Sequence, residues 1–509
     1  MTCSSRRRRE AISFVSLQFL ILWLPVTVGA FALACRWRPT AAVGLLVAVS
    51  VLFCAQAGPI ALAVLTTSIL GNFAAVALIG RLAPGSTMRR LVVAGAIIAN
   101  LAPLVAFKVA QQVLPVALPL GLAFYTLQQI TFVIDAQKPG VERLGLLRFA
   151  AWGSFFGQLP AGPIGAYGRI APQFARLGFT APTGADIARG GALVLAGVVK
   201  KTWLADPMAR KVDAVLTAVD LGAVTPVEAW TAAWGYTLQL YLDFSAYSDI
   251  AIGVGLCFGL LLPINFNSPL KASSPGQYVM RWHMSLMTFV RDYVFEPVFR
   301  IARKLPIQPT SRRYGVAWAL ATLVAYLVVA AWHTAALLPL LQGLGVAALL
   351  IVLQFARQNA RGAPRPIGVV EQRARQVAGQ ALILIAVAVI ALMLRVGDGQ
   401  TLGRVLPALV DVQAIFAGLA QGVDLAGAYP NARLPGVRTL AMMGVVTTIV
   451  LVCPNTMQIF GIPGATPAPD WLRWRPTLLW GGLTVGLLLL ALIGVTRPVQ
   501  QYGFIYAQF

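Results

Sequence analysis

The chain has 509 residues, of which 58% are hydrophobic and only 11% charged, and its mean hydropathy of +0.76 lies far outside the range of water-soluble domains. A net charge of +23, from 40 Lys+Arg against 17 Asp+Glu, could suit a nucleic-acid binder, but these charges sit in short loops between apolar runs. There positive residues set topology and meet anionic lipid, so the composition describes an integral membrane protein and leaves no place for nucleic acid as a partner.

The apolar runs predict spans near 12–35, 41–56, 59–80, 91–107, 113–134, 148–165, 187–205, 227–260, 315–331, 333–356, 377–394, 437–453 and 477–495. That gives an all-α polytopic fold of about eleven to thirteen helices, some too short or polar to cross fully. Helices are required because lipid offers backbone amides no other partner except in a closed barrel, and alternating strand patterns are absent. The first run follows Arg6 to Arg9 as a signal peptide would. It is too long for one, has no convincing small-residue cleavage site, and leads at once into more apolar sequence, so it is read as a first span or half-buried entry helix. Cys3, Cys35, Cys54, Cys257 and Cys453 are scattered without metal-ligand spacing. The clusters Arg6 to Arg9, Arg300 to Arg313 and Arg357 to Arg375 are expected on the cytoplasmic side, where a basic surface would also suit a polyphosphate-bearing ligand.

No solenoid period or low-complexity segment interrupts the chain, which reads as a single membrane domain over 1–509. The chief break is 263–314, where charges, prolines and aromatics mix; it predicts an interfacial or re-entrant segment. Within it Gln277 to Arg300 predicts an amphipathic helix with Trp282, Leu286, Phe289 and Val290 on the apolar side. A second basic stretch, 354–376, reads as a loop.

The two histidines both follow tryptophan. His333 falls between two long apolar runs, where an ionisable group marks a pathway or a catalytic site, or else a neutral imidazole making an interhelical hydrogen bond. His283, in RWHMSL, could equally be an amphipathic interfacial side chain. The segment YLDFSAYSDIAIG places Asp243, Ser245, Tyr247, Ser248 and Asp249 in one apolar stretch. Two carboxylates there require partners or solvent, either as helix glue to Arg281, Arg291 or Lys271 or as the wall of a polar cavity. A metal site is disfavoured because neither HExxH nor HxH spacing occurs, and no GxSxG elbow marks a serine nucleophile. What remains is an imidazole base acting in a dry passage, its ordinary pKa near physiological pH.

The stretch from YLDFSAYSDIAIG through PINFNSPLKASSPGQYVMRWHMSLMTFVRDY, followed by AWHTA, resembles the membrane-bound O-acyltransferase superfamily, in particular its bacterial branch of alginate O-acetylation and teichoic acid D-alanylation proteins. Further landmarks agree: FYTLQQITFVIDAQKPG at 124–140, GQLPAGPIGAYGRI at 157–170, GVVKKTWLADPMA at 197–209, CPNTMQIFG and the terminal GFIYAQF, so the resemblance implies a complete chain. Ala246, Leu270, Met280, Phe289 and Thr334 stand where the family pattern has other residues, while both imidazoles keep their places.

The resemblance implies a ring of helices around a thin centre pierced by a tunnel, with His333 as catalytic base and His283 as second active-site group. Asp243, Ser245, Tyr247, Asp249, Arg281 and Asp292 would form the supporting polar shell. The donor would be acetyl-CoA or a similar acyl thioester, with no permanently bound cofactor. The acceptor would be an exported or cell-surface polysaccharide, often reached through a periplasmic or membrane-anchored partner, and the location the bacterial inner membrane. D-alanyl transfer to another envelope acceptor is the nearest alternative. A transporter or flippase using His333 and the aspartates as a proton relay is a rival, but no paired halves with matching broken helices are found. A structural scaffold for a glycan synthase would tolerate loss of both histidines.

Overall fold

The computed structural model describes residues 13–219, 224–359, 368–396, 399–411, 437–498 and 502–505. Among them the chain is helical, and its one non-helical pairing is an isolated bridge between Leu177 and Thr180. Helices α1 (Phe19–Trp37), α3 (Pro59–Arg81) and α4 (Thr87–Val113) are each long and apolar enough to cross a membrane; α2 (Pro39–Ala55) is apolar but shorter. The α3–α4 pair is held inside by reciprocal amide hydrogen bonds, Asn72 Nδ2 to Asn100 Oδ1 at 2.9 Å and Asn100 Nδ2 to Asn72 Oδ1 at 2.7 Å. In lipid such a pair adds to packing because neither amide has water to turn to.

The next elements are short and buried. Helix α5 (Leu122–Asp135) and α6 (Leu146–Ser154) lead into an irregular stretch, 155–166, that is buried throughout. Its backbone is satisfied by side chains of distant elements: Phe156 N donates to Ser50 Oγ at 3.2 Å, Ala161 N to Tyr247 Oη at 3.0 Å and Ile164 N to Ser285 Oγ at 2.9 Å. Non-helical backbone can lie deep in such a protein only on these terms. Helix α7 (Tyr167–Arg176) precedes α8 (Gly184–Val199), which continues through one π-helical segment into α9 (Asp206–Val219).

The centre is α10 (Pro226–Cys257), started by a Thr225–Glu228 capping box and buried on nearly every side. Helix α8 lies against it at backbone distance. A Cβ on Gly190 would come 2.5 Å from the Gly253 carbonyl oxygen, and one on Gly197 would come 2.7 Å from that of Ala246, so only glycine permits this approach.

After α10 come the short helices α11 (Pro275–Val279), α12 (Met284–Val290) and α13 (Glu296–Ala302), and then α14 (Thr310–His333), α15 (Leu337–Asn359) and α16 (Val369–Arg395). Helices α17 (Gly399–Val410), α18 (Val437–Val452), α19 (Thr456–Ile459) and α20 (Leu478–Thr496) complete the described elements.

Seven helices among the described residues meet the length and apolarity of a membrane span, with two shorter apolar ones, against the eleven to thirteen that hydropathy predicts. The difference is physical. Segments 122–133 and 149–165 are apolar because protein covers them, and each of the two predicted spans breaks into a short helix plus irregular backbone. The single amphipathic helix expected over Gln277–Arg300 is also broken, at residues 280–283, where His283 adopts a positive φ of 43°. The expected loop at 354–376 is helical at both ends, up to Asn359 and again from Val369, while 360–367 lie outside the described residues. The Arg6 to Arg9 cluster and Cys3 also lie outside them.

Candidate active site

His283 sits at the break between α11 and α12 and is buried. Left-handed backbone at a residue with a Cβ costs on the order of 1–3 kcal/mol, and the surroundings must hold it. They do so through one residue: Met284 N donates to the Asn265 carbonyl oxygen at 2.9 Å, and His283 Nδ1 lies 3.3 Å from Asn265 Oδ1. The direction of that second bond can be derived. Ile164 N donates to Ser285 Oγ at 2.9 Å, so the Ser285 hydroxyl is left to donate to Asn265 Oδ1, at 2.6 Å; Ser285 N adds a third donor at 3.3 Å. Asn265 Nδ2 meanwhile donates to Ser248 Oγ at 3.2 Å. Oδ1 is therefore the acceptor, Nδ1 of neutral His283 carries the proton, and Nε2 carries the lone pair. Burial, with a smaller contribution from His333, pushes the His283 pKa well below its ordinary 6.5, which keeps the ring neutral.

His333 is the last residue of α14 and half-buried. Its carbonyl oxygen accepts from Lys108 Nζ at 2.7 Å. This buried ammonium, on α4, complements the negative end of α14.

One indole joins the two imidazoles. The Trp332 ring centroid lies 6.1 Å from that of His283 and 4.7 Å from that of His333. Trp332 is fixed in turn by its Nε1, which donates to the Ala123 carbonyl oxygen at 2.9 Å. Phe244 packs edge-on to His283 at 4.7 Å, and Phe124 lies at 5.3 Å from Trp332. The histidines, 50 positions apart in sequence, thus share one aromatic surrounding built from α5, α10, α12 and α14.

The other polar candidates separate into distinct groups. Asp249 is locked by Lys200 Nζ at 2.5 Å and by Thr456 Oγ1 at 2.8 Å, with Ser245 Oγ 3.4 Å from the same ammonium. This group borders a cavity of about 10 Å³, the size at which one water fits, whose lining also includes Ser248 and Asn265, so it adjoins the His283 support. Asp243 faces elsewhere: it pairs with Lys201 at 2.6 Å, Lys201 pairs with Asp206 at 2.8 Å, and Ile505 N donates to Asp243 at 2.8 Å. Tyr247 holds the backbone of Ala161, as described above. Asp292 makes a half-exposed cluster with Arg169 and Arg291, both at 2.7 Å. Arg281 is half-buried, and its carbonyl oxygen accepts from Asn267 N at 3.1 Å. The cation partners anticipated for the α10 carboxylates, Arg281, Arg291 or Lys271, are replaced by Lys200 and Lys201, which the α8–α9 π segment points at α10.

Sequence reasoning overlooked Asn265, Ser285, Trp332 and Lys108 as parts of the site. Lys108 carried a signal, a lone cation ending an apolar run. Asn265 carried only its place in the NFNSP stretch of the resemblance, which gives it no role, since an amide in a proline-rich break otherwise looks like any loop residue.

The fold and the site define a class: a multi-pass α-helical membrane protein with two imidazoles, one buried and one half-buried, flanking a buried indole. Residues 135–369, a range containing both histidines, match the model of the MBOAT, membrane-bound O-acyltransferase, family. It is similar to the probable alginate O-acetylase AlgI of Pseudomonas aeruginosa, 37% identical over 181 residues, which are 35% of this chain and 34% of that protein. The peptidoglycan O-acetyltransferase of Helicobacter pylori is 34% identical over 212 residues, 37% of this chain and 40% of its own. The teichoic acid D-alanyltransferase of Bacillus subtilis is 26% identical over 239 residues, 46% of this chain and 59% of its own. The alignments with the two O-acetylation proteins thus span between a third and two-fifths of those relatives' length.

Proposed function

We propose that this protein is a membrane O-acyltransferase that takes an acetyl or other short acyl group from a cytoplasmic thioester such as acetyl-CoA and passes it toward the hydroxyl of an exported or cell-surface polysaccharide. The observation that carries this reading is the convergence of His283 and His333 on Trp332. In the proposed step His333 removes the acceptor hydroxyl proton, the oxygen attacks the thioester carbonyl, the C–S bond breaks, and the proton passes to the leaving thiolate. An ester and a free thiol result. His283, with its Nε2 lone pair, accepts a hydrogen bond from the hydroxyl or the departing thiol; this tautomer cannot donate to the acyl carbonyl from Nε2, which narrows its role to orienting a donor group. The buried aromatic walls limit hydrolysis of the thioester. A tunnel joining the two faces would let the small acyl group cross while the charged donor stays on one side and the glycan on the other.

The relatives' named activities, acetylation of alginate or peptidoglycan and D-alanylation of teichoic acid, favour an exported or cell-envelope acceptor and a place in a bacterial cytoplasmic membrane. The test is mass spectrometry of surface glycans from cells with and without the protein, together with incubation of the purified protein with labelled acetyl-CoA. Loss of O-acetyl groups and thioester-dependent labelling are expected. Accumulation of a substrate without covalent change would replace the reading with transport, and D-alanyl esters in place of acetyl would reassign the acyl group. Glycan modified by the purified chain alone would exclude an obligatory partner relay.

A further inference from the structure

A second cavity, of about 330 Å³, lies between the end of α3, the start of α4 and the end of α5, away from the imidazoles. Its inner wall is apolar, formed by Phe73, Val76, Phe132 and Leu144. Three arginines, Arg81, Arg89 and Arg143, stand around the same space. Arg89 Nε donates to the neutral Gln137 Oε1 at 3.3 Å, and among the described residues none of the three forms an ion pair. The nearest carboxylate on α5, Asp135, is already occupied by Lys138, Gly168 N and Tyr293. Glu142, next to Arg143 in sequence, is exposed and does not line the cavity, whose lining holds no carboxylate; guanidinium groups around such a lining, backed by an apolar slot, form a receptor for an anion that carries a hydrophobic body.

The position selects the body. Helices α3 and α4 are each long and apolar enough to span a membrane; Arg81 and Arg89 stand at their joined ends, where headgroups would lie, and Arg143 borders the same cavity from the loop between α5 and α6. The short connection bearing Arg81, Arg89 and Arg90 belongs on the cytoplasmic side by its charge, facing the anionic leaflet. We infer that this cavity binds an anionic phospholipid, its phosphate on Arg81, Arg89 and Arg143 and its acyl chains against Phe73, Val76 and Phe132. Each arginine contributes roughly fivefold to the affinity.

The experiment is native mass spectrometry of the full-length protein titrated with phosphatidylglycerol, with phosphatidylcholine and inorganic phosphate as comparison probes. Saturable binding of one phosphatidylglycerol is expected, with neither phosphatidylcholine nor phosphate displacing it, and the triple variant R81Q/R89Q/R143Q should weaken it on the order of 100-fold. Equal retention of phosphatidylglycerol by the triple variant overturns the proposal. Displacement by inorganic phosphate at matching concentration also overturns it, by making the cavity a soluble-anion site. Should the triple variant fail to fold, R143Q alone, at an exposed loop position, must still weaken binding about fivefold; unchanged binding counts against the lipid.

Discussion

Asn265 spends both ends of its side chain on the site, since Oδ1 gathers His283 Nδ1 and two donors of Ser285 while Nδ2 reaches Ser248. Replacing it with alanine leaves His283 without the acceptor that fixes its tautomer, and acyl transfer should fall by on the order of 10² with near-normal protein levels. Asn265→Asp should instead shift the acidic limb of the pH–rate profile upward, because a carboxylate at the same place stabilises the imidazolium. An unchanged rate in the alanine variant and an unmoved limb in the aspartate one would show that the tautomer is irrelevant. The depressed pKa of His283 has a second consequence. Below its ordinary value of 6.5 the unfolded chain binds a proton that the folded chain refuses, so stability is fully present above that pH and declines as pH falls through it. The slope is up to about 1.4 kcal/mol per pH unit. Denaturation midpoints in detergent between pH 7.5 and 5.5 should show this loss in the wild type and a smaller one in His283→Gln; parallel curves would contradict it. His333 could be singled out as a candidate from its type and surroundings alone, because an imidazole inside apolar sequence is costly. The indole it shares with His283 could not, since that depends on α5, α10, α12 and α14 meeting.

The π-helical continuation of α8 places consecutive lysines on two different carboxylates of α10, Lys200 on Asp249 and Lys201 on Asp243. Lys201 also neutralises Asp206 and carries the 503–505 segment through Gly503 and Phe504. Lys201→Met would strand two buried carboxylates, at a cost of roughly 3–5 kcal/mol. A lowered melting temperature in detergent is expected, partly recovered by adding Asp243→Asn; a wild-type melting temperature would contradict the assignment. The sequence displayed the KK pair and both aspartates but not their pairing, because residues some forty positions apart on two helices match only once the helix faces are known. Element type was legible for α1, α3, α4, α14, α16 and α20, whose apolar runs face lipid. It was misleading for α5 and α6, whose equally apolar runs face protein, a distinction hydropathy does not register.

At the level of the whole molecule, lipid-facing helices enclose an interior that contains irregular backbone, ion-paired carboxylates and the imidazole pair. The basic α3–α4 connection predicts an orientation: a cysteine introduced at Gly85 should react with an impermeant maleimide from the cytoplasmic side, and labelling from the opposite face would invert the topology. The proposed function requires the two imidazoles to act as one unit. The direct measurement is a double-mutant cycle on acyl transfer from labelled acetyl-CoA, comparing wild type, His283→Ala, His333→Ala and the double variant at equal protein levels. His333→Ala should lose roughly 10²–10⁴-fold in rate, and the double variant should be hardly slower than it. Full activity in His333→Ala, or losses that simply multiply as for two independent sites, would contradict a shared site.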